Sequence, residues 1–240
     1  MVLLSSGRSS VLRRRPQTRG RGRPPRSQQP LSRARVLREA LALLDRHGLA
    51  SVSVRQLAHR LGVTPMSLYN HFANKDGLLD ALHEAVLLDV VGAGPRKGAS
   101  WKTRVSTLAG DLRQALRAHP HALLLFATRP VRTLPILKAT DELVRRLLAA
   151  GFSARQALFL FDCVVMFTIG HALAEFGISP AAAPQRNGSD LTAQRAALSR
   201  AGLHCLVHVV EKTTPHDYDA EFESGLRALV DGFVLQLRRR

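Results

Sequence analysis

The sequence has few aromatic and few acidic residues, and it lacks features that define several protein classes. Of its 240 residues, 5% are aromatic and 18 are Asp or Glu, against 35 Lys or Arg. Its two cysteines are too few for the disulfide framework of a small secreted protein. We therefore expect Cys163 and Cys205 to be free thiols buried in apolar helices, as suits the cytoplasm.

Long hydrophobic runs and the common enzyme motifs are also missing. The longest apolar stretch, near residues 159–173, contains a charged residue and falls short of the roughly 18 uncharged residues that span a membrane. There is no Gly-rich phosphate loop and no Gly-x-Ser-x-Gly element. His204 and His208 flank Cys205 without a His-Glu-x-x-His motif, so ordinary helix packing is favoured over a metal or thiol site. We predict a protein that is not an enzyme and uses no cofactor and no metal.

Positive charge is concentrated at the N-terminus. The net charge is +17, and residues 1–38 hold 11 Arg and no acid. Residues 1–30 are rich in Arg, Ser, Gln, Pro and Gly, which predicts a disordered basic arm that binds a polyanion. Within it, Arg21-Gly22-Arg23 resembles an AT-hook, in which arginines enter a narrow minor groove. Sequence-independent contact of Arg21 and Arg23 with phosphates is the equal alternative.

Residues 52–75 predict two short helices joined by a tight turn. Ser53 can cap the first helix, and Gly62 permits the left-handed backbone that ends it. Thr64 can cap the second helix, in which Pro65 suits the first position. This is the pattern of a helix-turn-helix, whose second helix enters the major groove of DNA. The exposed face of that helix carries Met66, Ser67, Tyr69, Asn70 and His71, followed by Lys75.

Helical periodicity continues along the chain, and no strand pattern competes with it. Ser32 caps a predicted first helix that ends at residue 47, and a fourth helix runs from residue 75 to about 91. Residues 178–190 read as a long mobile loop. We divide the chain into an arm (1–30), a helix-turn-helix domain (31–92) and a helical domain (93–240). Further helices are predicted at 101–118, 121–128, 133–150, 153–177, 191–213 and 218–238.

Two runs carry a resemblance to a known family. Leu57 to Val63 (LAHRLGV) and Ser67 to Leu82 (SLYNHFANKDGLLDAL) resemble the DNA-binding domain of the tetracycline-repressor (TetR) family. The likeness implies an all-α fold: an N-terminal three-helix helix-turn-helix domain plus a C-terminal helical ligand-binding and dimerisation domain. It also implies a cytoplasmic, nucleoid-associated bacterial regulator. The C-terminal part resembles the tetracycline-repressor branch through Trp101, Ala127–Pro130, Ala150–Ser153, Phe167–Gly170 and Phe222–Phe233.

The resemblance implies a set of DNA contacts. Tyr69, His71 and Lys75 suit phosphates, Asn70 suits adenine and Met66 suits a thymine methyl group. Arg55 could contact either guanine or a phosphate. Thr64 and Ser67 could contact DNA or serve only as helix-end groups. The matching positions are Arg55, Thr64, Pro65, Met66, Ser67, Tyr69, Asn70, His71 and Lys75.

The resemblance also implies a homodimer that binds a palindromic double-stranded operator. Helices near 153–177 and 218–238 would pair with their copies. Both are rich in apolar residues, and an ordinary core within one chain is the alternative. The apolar surfaces predicted for this pairing are Ala157, Leu160, Phe161, Val164 and Val165, with Phe222, Leu226, Leu229, Phe233 and Leu237.

Three positions at which the chain differs from the tetracycline-repressor branch indicate which ligand it does not bind. Val91, Leu125 and Ala174 stand where the branch has a drug-contacting histidine, a metal-binding histidine and a metal-linked glutamate. A magnesium–tetracycline complex is therefore not expected, and we predict a small apolar effector. Ordinary core is the alternative for each pocket residue, and His171 could instead face the dimer seam. The predicted pocket residues are Leu125, Phe126, Phe159, Met166 and Phe167, with Asp162 and His171 as polar anchors.

These patterns together predict a ligand-responsive transcriptional repressor that releases its operator when the effector binds. The alternative is a constitutive architectural DNA-binding protein without an effector. That alternative requires a C-terminal domain without a cavity.

Overall fold

The computed structural model describes residues 31–92, 98–129, 131, 133–177, 188–212 and 217–238. The predicted arm, with Arg21 and Arg23, lies outside these residues. The described part is helical and contains no strand, so the predicted all-α class is confirmed. The helices are α1 (Arg33–His47), α2 (Val54–Leu61), α3 (Pro65–Tyr69), α4 (Lys75–Gly92), α5 (Trp101–Ala118), α6 (Leu123–Thr128), α7 (Leu134–Ala149), α8 (Ala154–Phe176), α9 (Gly188–Arg200), α10 (His204–Lys212) and α11 (Tyr218–Arg238).

Local chemistry sets the ends of the first three helices. The side-chain oxygen of Ser32 accepts a hydrogen bond from the backbone N–H of Arg35 at 3.2 Å, and Ser53 caps α2 in the same way. Gly62 ends α2 with φ 66° and ψ 33°, a left-handed conformation that strains residues with a Cβ. Thr64 caps α3, and Pro65 occupies its first turn. The predicted starts of α1 to α3 and the ends of α1 and α2 therefore hold, because each is specified within a few residues. Asn70 and His71 were expected on the second helix of the motif, but α3 ends at Tyr69 and both residues follow it.

We call α1 to α3 the head. Its core is continuous with the first turns of α4, where Leu78 and Leu82 are buried. Burying each large aliphatic side chain contributes about 1.5–3 kcal/mol relative to exposure. Beyond the head, α4 packs against α5, α6 and α7, so this one helix belongs to both parts of the molecule. The other buried head residues include Val36, Ala40, Leu43, Leu44, Leu57, Leu61, Leu68 and Phe72.

A second core joins α5, α7, α8 and α11. The rings of Trp101 and Phe152 meet edge to face with centroids 4.9 Å apart. At Gly225 of α11, an added Cβ would lie 2.6 Å from the ring of Phe167 on α8. A side chain at this position would therefore force the Phe167 ring to move, and Gly225 lets the ring pack directly against α11. The buried members of this core are Val105, Ala109, Leu143, Leu147, Phe152, Ala157, Leu160, Val164, Phe222, Leu226 and Val230.

Three expectations about the C-terminal half are wrong. The single helix predicted at 191–213 is two helices, α9 and α10, because a turn that includes Gly202 at φ 72° interrupts it. Residues 188–190 of the predicted 178–190 loop belong to α9, and the rest of that loop lies outside the described residues. Cys163 and Cys205 are free, but in the single chain both are exposed rather than buried.

The prediction of which face of α8 meets a second subunit is also wrong. Ala157, Leu160 and Val164 are buried inside this chain, while Phe161 and Val165 pack within it. On α11, the residues expected to pair across the dimer likewise pack on the core. Because α8 is apolar around its circumference, its periodicity does not distinguish an inward from an outward face. The large apolar side chains that α8 exposes are Leu158, Phe159, Met166 and Leu173.

By length and composition alone, α8 is long and apolar enough to cross a membrane. Its mean hydropathy reaches 1.9, and 28% of that stretch is buried in the single chain. A helix that packs against others on several sides passes the same test.

Candidate functional site

The exposed surface of α3 collects the residues predicted to read DNA. Met66 and Tyr69 are 72% and 47% exposed, and Asn70 ends the helix. Arg55 is exposed on the first turn of α2, and Lys75 is exposed at the first position of α4. Thr64 and Pro65 are exposed, whereas Ser67 and His71 are half-buried. The nine predicted residues from 55 to 75 therefore lie on α3, in the residues next to it, in the first turn of α2 and at the start of α4.

Two of these residues have a local role as well. The hydroxyl oxygens of Thr64 and Ser67 lie 3.0 Å apart, and Thr64 also accepts from the backbone N–H of Ser67. These contacts hold the first turn of α3. They support the alternative that both residues act as helix-end groups.

Sequence reasoning missed Arg33 of α1. Its Nη1 donates to the carbonyl oxygen of His71 at 3.1 Å, and its guanidinium lies 4.8 Å from the centre of the Phe72 ring. Arg33 thereby holds the segment that follows α3. No motif marks it, because its partners lie 38 and 39 positions away in sequence.

A cavity of about 490 Å³, which we call the α4–α8 cavity, lies among α4, α5, α7 and α8 and the end of α6. This volume is in the range of sites for drug-sized ligands. Its wall is mainly apolar, with a few polar groups. The lining includes His83, Leu87, Val90 and Val91 of α4, Arg104, Thr107, Leu108, Asp111 and Leu112 of α5, Phe126, Arg129, Val131, Ile136, Leu137, Ala139, Thr140, Glu142 and Leu143, and Phe161, Val165 and Ile169 of α8.

Of the seven residues predicted for the pocket, Phe126 lines this cavity. The prediction identified α8 but selected the wrong face of it. The residues of α8 in the wall are Phe161, Val165 and Ile169, which are spaced i, i+4 and i+8. That spacing was visible in the sequence, but the other faces of α8 are equally apolar.

The other six predicted pocket residues lie elsewhere. Leu125 is fully buried outside the cavity wall, and Phe159, Asp162 and Met166 are exposed on α8. Phe167 stacks on Phe222 with ring centroids 5.5 Å apart. His171 is buried among Phe167, Tyr218 and Phe222, close to Glu175 and Glu221, rather than exposed at a seam.

Burial shifts the pKa values of His83 and Asp111, which both line the cavity. His83 is 4% exposed and meets the ring of Phe126 edge to face at 4.8 Å. Burial lowers the pKa of His83, Asp80 partly offsets this, and Arg129 lowers it further, so the ring is neutral at pH 7. Burial raises the pKa of the Asp111 carboxyl above its ordinary value. Burial in this mainly apolar wall thus acts against the charged form of each group.

Arg129 connects the cavity wall to the start of α4. Its Nη2 donates to Oδ1 of Asp76 at 2.8 Å, and its Nη1 donates to Oδ1 of Asp80 at 2.5 Å and to the carbonyl oxygen of Asp76 at 3.1 Å. The hydrogen bond to Asp76 raises the pKa of the Arg129 guanidinium, burial opposes this, and Asp80 raises it further. The side chain is 17% exposed. One residue thus contacts both the cavity and the first turn of the helix that follows the head.

The positions that depart from the tetracycline branch have different surroundings. Val91 lines the cavity, whereas Leu125 is buried in the core. Glu175, next to Ala174, accepts from Arg113 at 2.8 Å and from Arg117 at 2.6 Å. In the described residues, no group of three or more His, Cys, Asp or Glu side chains is arranged to hold a metal ion.

Comparison with known proteins decides the family. A family model described as "Bacterial regulatory proteins, tetR family" matches residues 36–82, and "Tetracyclin repressor-like, C-terminal domain" matches residues 94–237. Over 204 residues, the chain is 36% identical to the class C tetracycline repressor of Escherichia coli, covering 84% of this chain and 90% of that one. The chain belongs to the TetR family.

Solved structures agree with this TetR assignment. A possible TetR family regulator of Streptomyces coelicolor aligns with a TM-score of 0.70 and 34% identity, covering 85% of this chain and 99% of that one. ActR of Streptomyces coelicolor, a TetR family protein in complex with actinorhodin, aligns at 0.73 with 27% identity, covering 87% and 99%. TetR-family proteins are generally non-enzymatic DNA-binding transcription regulators that act as dimers and bind small-molecule effectors.

Proposed function

We propose that this protein is a homodimeric repressor that releases a palindromic operator when a small, mainly apolar effector enters the α4–α8 cavity. The observation that carries the proposal is that head and cavity share α4. Its first residue, Lys75, is the last of the proposed DNA contacts, and four of its residues between His83 and Val91 line the cavity. The proposal assumes two conformations that differ in the position of α4, one that binds DNA and one that does not. An effector that binds the second conformation better than the first shifts the population towards it.

The DNA half of the proposal assigns different roles along α3. Tyr69, His71 and Lys75 contact phosphates, and Asn70 and Met66 read base edges. Arg55 adds a contact from α2. The arm of residues 1–30, with Arg21 and Arg23, adds electrostatic affinity as a separate segment ahead of the head. The protein acts in the bacterial cytoplasm, on the nucleoid.

Dimerisation is proposed through α8 and α11, on different faces from those that the sequence suggested. The exposed Phe159, Met166 and Leu173 of α8 form the apolar part of this surface. On α11, Ala228 and Gly232 are exposed, and such small residues allow a close helix approach. A two-fold axis there would present two α3 helices about 34–36 Å apart on one face of the operator.

The effector is proposed not to be a magnesium–tetracycline complex. Leu125 and Ala174 offer no metal ligand, and both carboxylate oxygens of the neighbouring Glu175 accept from arginines. ActR, a relative of similar fold, is described in complex with actinorhodin. An organic effector with a large apolar part fits the volume and wall of the cavity here.

The test is a combined thermal-shift and operator-release screen on the full chain with a library of apolar ring compounds. A genuine effector raises the melting temperature, releases a labelled operator, and loses both effects in the cavity-filling variant Leu108→Trp. Leu148→Trp, on the exposed surface of α7, is the matched control. If stabilising compounds bind in the cavity but never release DNA, the proposal that an effector controls operator binding is wrong.

A further inference from the structure

The wall of the α4–α8 cavity contains an arginine without a strong ionic partner. The Arg104 side chain is 11% exposed, and its Nε is buried without a hydrogen-bond partner in the described structure. The nearest recorded carboxylate contact is from its Nη2 to Oε1 of Glu142, at 3.9 Å. That distance exceeds a hydrogen bond, so the guanidinium is held in an apolar wall with little compensation.

Glu142 is already engaged by two other arginines. Its Oε1 accepts from Nε of Arg146 at 2.8 Å, and its Oε2 accepts from Arg145. The hydrogen bond from Arg146 lowers the pKa of the Glu142 carboxyl, which is therefore ionised at pH 7. One carboxylate thus faces three guanidinium groups. The net charge at this end of the cavity is therefore positive, even when Asp141, which pairs with Arg145, is included.

The polar groups of α5 form a single line along the wall. Arg104, Thr107 and Asp111 all line the cavity, at i, i+3 and i+7. Two helical turns separate the first and last of them, about 10 Å along the helix. The line therefore has a cation at one end and a carboxyl group at the other, with apolar residues around it. A second acidic group on a ligand would meet Asp111, which disfavours a dianion.

We propose that the effector is an organic anion, with an apolar ring scaffold and a single acidic group that Arg104 binds. The inference rests on the proposed function only in taking the α4–α8 cavity as the effector site. An effector without an acceptor at that point would seal the cavity over a desolvated guanidinium and leave its Nε unpaired, which is costly, and a neutral acceptor would leave the charge uncompensated. An acidic group supplies a charge-assisted hydrogen bond at that point. Arg104 then makes the cavity prefer a negatively charged ligand over a neutral one, while the rest of the wall favours a ligand with a large apolar surface.

Two fluorescent dyes of the same skeleton test the inference directly. Anilinonaphthalene sulfonate carries one acidic group, and N-phenyl-naphthylamine is its neutral counterpart. Their affinities for the intact dimeric protein are measured by fluorescence titration at low ionic strength. We expect the sulfonate dye to bind about tenfold more tightly or better, since a hydrogen bond to a charged group is worth about 1.5–3 kcal/mol.

Three variants assign any difference to the cavity and to Arg104. Arg104→Met keeps the length of the side chain and removes its charge; it should abolish the preference by weakening the sulfonate dye about tenfold and leaving the neutral dye unchanged. Lys138→Met removes the same charge from an exposed position of α7 outside the wall, and should retain the preference. Leu108→Trp should weaken both dyes; Ala139→Trp, at a partly exposed wall position, replaces it if Leu108→Trp is unfolded by circular dichroism.

The outcomes separate the inference from the proposed function. Equal affinities of wild type for the two dyes, with both lost in the filled cavity, overturn the inference and leave the cavity as a ligand site. A preference that survives Arg104→Met also overturns it. If neither filling variant changes the binding of either dye, the dyes do not bind in the cavity, and both the inference and the effector site lose support.

Discussion

The head and the α4–α8 cavity differ in how far apart in sequence their functional residues lie. The predicted DNA contacts of the head and of the first residue of α4 fall between Arg55 and Lys75. Hydrogen bonds within three or four residues set the ends of the head helices. The cavity draws its wall from residues between His83 and Ile169, on five helices. A surface of the first kind tolerates changes in the rest of the chain. A cavity of the second kind depends on the packing of the whole domain, so its ligand can change while the head remains recognisable.

The largest expected effect is a loss of operator affinity when the dimer, which joins two heads on one operator, is disrupted. Met166→Asp places a charge on the exposed apolar face of α8, where Met166 is 70% exposed. We expect a monomer in sedimentation and operator affinity reduced about a hundredfold or more, since the second half-site no longer adds avidity. Leu148→Asp, at an exposed position of α7, is the control and should remain dimeric. A dimeric Met166→Asp protein would show that this face is not the interface.

The cysteines sharpen the same prediction without mutation. Both thiols are exposed in the single chain, Cys163 on α8 and Cys205 on α10. In the dimer, a thiol reagent should modify Cys163 more slowly than Cys205.

The next effect separates the head from the cavity. The chain has two tyrosines, so Tyr69→Phe and Tyr218→Phe form a matched pair. Losing the proposed phosphate contact of Tyr69 should weaken operator binding about tenfold or more. The Tyr218 hydroxyl donates to the carbonyl oxygen of Ala174 at 3.3 Å, far along the chain from α3, and its loss should leave operator affinity unchanged. Equal affinities for the two variants in a fluorescence-anisotropy titration would remove Tyr69 from the DNA contacts.

A smaller effect concerns the link between the two regions. Arg129→Met removes the hydrogen bonds to Asp76 and Asp80 and should loosen the first turn of α4. Because both partners are largely exposed, the ion pairs contribute about 1 kcal/mol, or roughly fivefold faster hydrogen exchange at residues 75–80. Arg146→Met removes the ion pair between Arg146 and Glu142 within α7, and should not change hydrogen exchange at residues 75–80. Unchanged exchange in Arg129→Met would mean that other contacts hold the start of α4.

The smallest effect tests the apolar character of the cavity wall. Burial raises the pKa of Asp111 in the folded protein, so wild type loses stability as pH rises through that raised value. Asp111→Asn should therefore raise the melting temperature at pH 7.5 by about 1–2 °C. The gain should vanish at a pH below the ordinary carboxyl pKa, where the group is neutral in both states. Asp89→Asn, on the exposed side of α4, should show no such gain. A pH-independent gain would assign the effect of Asp111→Asn to something other than ionisation.

Prediction from sequence succeeded where short-range rules apply. The caps Ser32, Ser53 and Thr64, with Gly62, mark the ends of the head helices, and the structure agrees with each. It failed where one helix had to be oriented among several. On α8, Phe159, Met166 and Phe167 were expected in the pocket, but the wall uses another face of the same helix.

The amino-acid sequence by itself determined the all-α class, the helix-turn-helix and the family, because capping, turn geometry and a contiguous motif are encoded within a few residues of each other. Tertiary structure decided which face of α8 lines the cavity, which face is left exposed, and that Arg104 lies in an apolar wall without a strong partner. Those outcomes depend on how α5, α7, α8 and α11 pack together. A helix that is apolar on all sides does not specify that packing in its own periodicity.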